Sequence, residues 1–269
     1  MCSVVIHYRP DHDWPILLAA NRDEMMDRPW LAPGRHWPEQ KFIIAGKDQL
    51  AGGSWLGMND WGVVAIILNR LGTLGTQPGK SSRGQLVLRV LHYKNAKDAV
   101  TQFRSLLTTQ DFRPFNLIIA DFLSAFWISW RVTKDEKQPT LSIQDIPPGL
   151  HMLTSRELDD RADPRIQGFL PRFLECSSPD PELDWSSWAE LMKSCTPLAG
   201  AGPDSAMCFQ LESRFATVSS SLIALPNPMD GKRFPAWLFA PGNPRDVAYR
   251  PVTGMTLIRP CSGNSEILC

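Results

Sequence analysis

The second residue of the chain is a cysteine, directly behind the initiator methionine. Methionine is trimmed efficiently when a small residue follows it, and trimming would leave Cys2 with a free α-amine. One residue would then hold both a nucleophile and its base. An α-amine titrates near roughly 7.7–8.0 and a thiol near about 8.5, so the two exchange a proton at neutral pH without a histidine. Such a pair attacks a carbonyl carbon and forms an acyl-enzyme that water or another acceptor resolves. The other reading of Cys2 is an accident of sequence. A second polar feature, Asn21-Arg22-Asp23-Glu24, follows the apolar run Pro15 to Ala20. Its carboxylate and guanidinium suit the holding of an ammonium and the polarising of a bound carbonyl or carboxylate, although charges at strand ends also serve as plain solvated surface. A third feature runs from Gly52-Gly53-Ser54-Trp55-Leu56-Gly57 through Gly62 to an apolar strand closed by Asn69-Arg70. The Asn69 amide could donate to an oxyanion, and it could equally cap a turn.

Strands must bring these residues together. Ser3 to Tyr8 and Pro15 to Ala20 are short aliphatic, β-branched runs separated by a polar turn, which predicts a β-hairpin beginning at the second residue. Its antiparallel return carries residues 21–24 back beside Cys2. Arg22 and Asp23 occupy consecutive strand positions, so a regular strand turns them to opposite faces and only one meets a cleft beside Cys2. Strand patterns continue at Phe42 to Gly46, Gly53 to Gly57 and Val63 to Leu68. Apolar residues at helical spacing then predict two helices within 82–107, separated at Asn95. Phe115 to Ala120, Ala125 to Arg131 and Leu150 to Thr154 return to strands. The segments 164–175 and 185–195 read as helices, and Phe215 to Leu225, Ala236 to Phe239 and Met255 to Ile258 as strands. Blocks of strands alternating with paired helices predict a layered α+β sandwich rather than a βαβ parallel sheet. No linker or composition break divides residues 1–269, which gives one domain.

Taken together, Met-Cys at the start, Asn21 to Glu24 with Arg28-Pro29, Gly52 to Gly57, Asn69-Arg70, Leu150 to Arg165 and Arg214 to Leu225 resemble the family named for the Asn-Arg-Asp-Glu motif (NRDE). That family in turn is similar to the Cys-type N-terminal-nucleophile (Ntn) hydrolases, among them penicillin V acylase and bile salt hydrolase, whose fold is a four-layer αββα sandwich. The resemblance implies Cys2 as nucleophile, Asp23 as the group that orients its amine, Asn69 as oxyanion donor and Arg214 as the charge that completes the cluster. It selects Asp23 for the cleft and turns Arg22 away into an ion pair. The relatives commonly carry an asparagine after the strand that here reads Leu153-Thr154-Ser155. Ser155 replaces that amide with a shorter donor, so Arg22 and Ser155 are expected to contribute to substrate binding. The implied ligand is a small amide or thioester carrying an acyl group. Proposals at the level of the family give the alternative of a non-catalytic carrier of haem, lipid or acyl-CoA within the cell.

Composition narrows the partners. Twenty-eight basic and 28 acidic residues cancel, so no overall field favours nucleic acid or an anionic membrane surface. Hydrophobic content of 43% is ample for a large core. The longest apolar run, Val63 to Leu68, is far too short to span a bilayer, and no basic region precedes a long apolar stretch, so stable membrane insertion is not expected and a cytoplasmic location is. The six cysteines include no CxxC and the five histidines no HxH or HExxH, which predicts free thiols, no metal site and no resident cofactor. His7 and His151, within strand patterns, are the candidates for axial ligation should haem be the ligand. The glycine-punctuated stretch Gly72 to Lys80 lacks the order of a phosphate-binding P-loop and reads as a mobile loop that covers a ligand.

Overall fold

A computed structural model describes residues 2–108, 111–132 and 140–258. Met1, Cys261 and Cys269 lie outside them. Strands β1 (Ser3–Tyr8) and β2 (Ile16–Met25) form the expected hairpin, with Ser3 opposite Asn21 and Tyr8 opposite Ile16. Along both strands the even positions (Val4, Ile6, Ile16, Leu18, Ala20) and the odd positions (Val5, Leu17, Ala19) fall into two different apolar clusters. Successive side chains of a strand alternate faces, so this pair is covered on both sides. That is why its sequence is almost continuously apolar.

The layers follow from those clusters. Two strand blocks close one another: a seven-stranded antiparallel sheet runs in chain order through β3 (Trp30–Gly34), β4 (Ile43–Asp48), β5 (Leu56–Asn59), β6 (Val64–Asn69), β7 (Phe115–Ala120), β8 (Ala125–Arg131) and β9 (Thr140–Asp145). A six-stranded antiparallel sheet has the order β10-β1-β2-β11-β12-β13, its later strands being β10 (Gly149–Leu153), β11 (Phe215–Leu225), β12 (Ala236–Ala240) and β13 (Arg250–Pro251). Even positions of β1 and β2 meet Leu56, Val64, Ile66 and Ile118 between the sheets. Helices α1 (Gly84–Val90) and α2 (Ala96–Thr108) bury Leu86, Val90, Ala99 and Phe103 on the outer face of the seven-stranded sheet. Helices α3 (Pro164–Glu175) and α4 (Ser186–Met192) bury Ile166, Phe169, Leu170 and Trp188 against the odd positions of β1 and β2. The result is an αββα sandwich.

Local signals set the helix starts. Asn95 Oδ1 accepts the amide of Asp98 at 2.8 Å, so the residue read as a separator is the cap of α2. Asp163 accepts the amides of Arg165 and Ile166, with Pro164 in the first turn of α3. Four expectations shift. β2 does not end at Ala20 but continues through the whole polar quartet to Met25, because β11 pairs with it there. The strand expected at Gly53 starts at Leu56, since Gly53 lies against the backbone of Gly84, where an added Cβ would sit 2.5 Å from a carbonyl carbon. Met255 to Ile258 joins no ladder, and the final strand lies earlier, at β13. The seven-stranded sheet has edges at β3 and β9 that the sequence pattern did not show, both half-exposed, with Pro33 inside β3 as edge strands allow.

Candidate functional site

The hairpin register sets Cys2 one step beyond the Ser3–Asn21 pair, beside the motif. Its sulfur accepts the Asp23 amide at 3.3 Å, and the thiol donates to the Asp23 carbonyl at 3.6 Å. The sulfur is thus locked by backbone, not by a side chain that can rotate away. Burial pushes the Cys2 thiol above its ordinary range, the Asp23 charge adds to that, and Arg22 opposes it. A thiol in this setting is a weak nucleophile until a base takes its proton.

Cys2 lines a cavity of about 220 Å³ at the ends of β2 and β6. Asn69, on the last position of β6, lines the same cavity. Arg22 does so as well, and it departs from the expected orientation. Its position shares the even, inter-sheet face with Ala20 and Cys2. The guanidinium lies 4.1 Å over the Trp55 ring and 3.7 Å from Glu24. Trp55 can occupy that place because it covers Gly46, where a Cβ would come within 2.3 Å of the indole. Arg22 is 5% exposed, its Nη1 has no hydrogen-bond partner among the described residues, and burial lowers its pKa. An unpaired buried donor is costly, and its place beside a cysteine sulfur is a reason for its being there.

Asp23 is held on the other side of the strand. Its Oδ2 accepts from Arg165 Nη1 at 2.9 Å and its Oδ1 from Thr217 Oγ1 at 2.7 Å. Arg165 is 3% exposed and the Asp23 side chain fully buried. Arg165 enters from the first turn of α3, and Thr217 from β11 at a register shift between Thr217 and Ser219. Asn21 faces the same way, its Nδ2 donating to the carbonyls of Met192 at 2.9 Å and Met207 at 2.8 Å. Asn21 and Asp23 therefore fasten β2 to the helical layer, and Arg22 alone of the three puts its side chain between the sheets.

Two expected members are elsewhere. Arg214 is exposed, with φ of 65°, in a tight turn closed by its amide to the Leu211 carbonyl, and it does not line the cavity. The turn that starts β11 carries it to the surface, and the buried arginines near Cys2 are Arg22 on the cavity wall and Arg165 behind Asp23. Ser155 is buried, its Oγ has no hydrogen-bond partner among the described residues, and it lines a separate pocket with Arg70 and Glu157. Asn116 explains that placement: its Nδ2 donates to the carbonyls of Thr154 at 3.0 Å and Arg156 at 2.7 Å, holding the turn after β10 against β7. His7 and His151 line neither pocket; His7 Nδ1 meets Ser178 and His151 meets Asp159 and the Pro147 carbonyl.

The cavity also gathers residues that the motifs did not point to. The stretch from Gly75 to Gly84 forms one wall, with Lys80 and Arg83, and Arg113 joins from before β7. This loop is fastened. Arg83 donates to Thr73 Oγ1 at 3.1 Å and to the carbonyls of Pro114 and Thr73 at 3.0 Å each, while Arg113 donates to the Leu74 carbonyl at 2.6 Å. Burial, then the neighbouring Arg113, lowers the Arg83 pKa to about 10. Among the described residues neither arginine has a carboxylate at ion-pair distance, whereas Arg28 is matched by Asp48 at 2.7 Å and Asp23 by Arg165. The cavity wall thus holds an excess of positive charge. No group of three or more potential metal ligands occurs among the described residues, and none of their helices is long and apolar enough to cross a membrane.

Two facing antiparallel sheets with paired helices outside each, and a cysteine directly before the first strand, give the Ntn-hydrolase type of fold. In line with that, the solved structure of a Caenorhabditis elegans N-acylethanolamine-hydrolyzing acid amidase ortholog aligns with 86% of this chain and 96% of its own, at a TM-score of 0.52 and 14% identity. Within that class the chain belongs to the Transport and Golgi organisation 2 family, whose model matches residues 1–198. A mouse Transport and Golgi organization 2 homolog is 30% identical over 129 residues, 45% of each chain. The bovine homolog is 26% identical over 169 residues, 59% of this chain and 58% of its own. The chain therefore matches about half the length of these relatives.

Proposed function

We propose that the protein transfers or hydrolyses an acyl group carried by a small, anionic amide or thioester, with Cys2 as nucleophile once Met1 is removed. The observation that carries this reading is the Cys2 sulfur, pinned by the Asp23 amide at 3.3 Å on the wall of a cavity with surplus positive charge. The freed amine accepts the thiol proton, which matters here because burial works against the thiolate. Sulfur attacks the acyl carbonyl, the amide nitrogen or thiol of the substrate leaves with that proton, and water or an acceptor releases the acyl group. Asn69 donates to the developing oxyanion, and Arg22 supplies positive charge beside the sulfur. Asp23 acts as a positioning residue, through its backbone on the sulfur and through a carboxylate anchored by Arg165 and Thr217. Arg83 and Arg113 suit the anionic part of the ligand, whereas Lys80 is already paired with Asp111.

Intact mass of the purified protein, before and after treatment with an acyl thioester, tests the reading. The expected result is loss of Met1 and one acyl adduct that is absent in Cys2→Ala. Retention of Met1 in the native protein, or an adduct that survives the substitution, would overturn it.

A further inference from the structure

A second pair of cysteines lies on the helical side of β2, away from the cavity. Cys195 follows α4 and is exposed; Cys208 precedes β11 and is fully buried. The Cys208 amide donates to the carbonyl of Ser194 at 3.0 Å. That single bond bounds their separation. In a planar trans peptide the Ser194 oxygen lies about 2.8 Å from the Cys195 Cα, and an N–Cα bond adds about 1.5 Å, so the two Cα atoms are about 7 Å apart at most. With an ordinary hydrogen-bond angle the separation is about 6 Å, the commonest span of a disulfide. Both sulfurs meet one turn as well. Cys208 Sγ donates to Asn243 Oδ1 at 2.7 Å, that oxygen also accepts the Arg245 amide at 3.1 Å, and Arg245 Nη1 lies 3.9 Å from the Cys195 sulfur.

We infer that Cys195 and Cys208 are a reversible redox pair that closes to a disulfide when the protein meets a hydroperoxide. Cys195 reacts first, because it is the exposed thiol and has a guanidinium at its sulfur, tempered by that guanidinium's own pairing with Asp246 at 2.9 Å. Its thiolate attacks a peroxide oxygen, the O–O bond breaks, and hydroxide leaves and is protonated to water, which gives a sulfenic acid. The Cys208 sulfur then attacks the Cys195 sulfur, and the S–O bond breaks. The hydroxyl group departs with the Cys208 proton as a second water. Two thiols have lost two electrons and two protons, and one hydrogen peroxide has become two waters. Burial, followed by the adjacent Cys195, pushes the Cys208 thiol up to about 12, which keeps Cys208 inert to outside reagents; its attack on the neighbouring sulfenic acid rests on its placement against Cys195.

The bridge would join the two backbone stretches that Asn21 already ties to β2 through Met192 and Met207. Oxidation therefore tightens the fastening of the strand that carries Arg22 and Asp23. The site is independent of any role of Cys2. The test is to treat the full-length protein with a small excess of hydrogen peroxide, alkylate the remaining thiols in denaturant, digest it and analyse the peptides by mass spectrometry. The expected product is a Cys195–Cys208 cross-linked peptide two hydrogens lighter than its parts, released by dithiothreitol and accompanied by a melting point several degrees higher. Cys195→Ser, at an exposed position, removes both effects. In Cys208→Ser the chemistry stops at a Cys195 sulfenic acid that dimedone captures. Oxidation of Cys195 to sulfinic acid with no link in the native chain, or a link that forms equally well in urea-unfolded protein, overturns the inference.

Discussion

Arg165 and Asp23 form an ion pair that is 3% and 0% exposed at 2.9 Å, across 142 residues of chain. Replacing Arg165 with methionine keeps most of the side-chain volume and removes the cation at 2.9 Å from the Asp23 carboxylate. Removing one partner of a buried pair costs about 3–5 kcal/mol. At roughly 2–4 °C per kcal/mol for a domain of this size, the melting temperature should fall by about 6–20 °C. Asp23→Asn alone leaves the Arg165 cation with the Asp204 carbonyl at 2.6 Å, so it too should cost stability, and less. The double variant Arg165→Met with Asp23→Asn removes both charges and should recover much of the loss, giving a coupling of about 0.5–3 kcal/mol between adjacent sites. Thermal melts of the four proteins measure this cycle, and labelling of Cys2 by a haloacetamide below the lowest melting point measures whether the sulfur is still held. If Arg165→Met melts within 2 °C of the parent, or if the two single losses simply add, the pair is not what anchors β2 to α3.

Three other outcomes follow from the geometry. Arg22→Met should slow Cys2 alkylation near pH 8 several-fold while changing the melt little, because the guanidinium opposes the upward shift of the thiol and leaves a buried donor unpaired; unchanged alkylation kinetics would contradict this. Gly53→Ala should lose about 1–3 kcal/mol, read in a urea titration, since its Cβ would lie 2.5 Å from the Gly84 backbone. Burial, then Arg9, lowers the His7 pKa to about 4 from an ordinary 6.5. The folded state therefore binds this proton less readily than the unfolded chain, and stability present above pH 6.5 is lost as the pH falls towards 4. His7→Gln should flatten that decline in melts at pH 4.5 and 7.5, and parallel declines in the two proteins would rule it out.

Two aliphatic runs around a polar turn were enough to predict the hairpin but not its register: side chains alternate faces, and a pair apolar on both faces shows no alternation that would fix it. The same rule showed that Arg22 and Asp23 part company at the strand, but parity cannot say which face is the cleft. That depended on what covers each face, and the answer came from Arg165 and Trp55, neither of them singled out by spacing. Arg165 sits inside the stretch Leu150 to Arg165 that carried the family resemblance, and the Asp163-Pro164 helix start before it was the available signal. Arg214 was implied by the family resemblance, as the arginine ahead of a strand. Its left-handed backbone, invisible in the residue type, turns it to solvent. The loop up to Lys80 was read as one that covers a ligand, but Arg83 and Arg113 beside it were illegible for a different reason: they bind backbone carbonyls, which leave no complementary residue in the sequence to recognise.

Strand order has a consequence for how the site comes into being. The seven-stranded sheet pairs only neighbours in sequence, so each strand finds its partner soon after it is made. In the other sheet β2 has β11 as its second neighbour, nearly two hundred residues later. Pairings so distant form late. During synthesis one long edge of β2, and the Asp23 carboxylate that Thr217 will hold, stay open until residues beyond 215 have emerged. The strand that completes the surroundings of the Asp23 carboxylate is thus among the last to arrive.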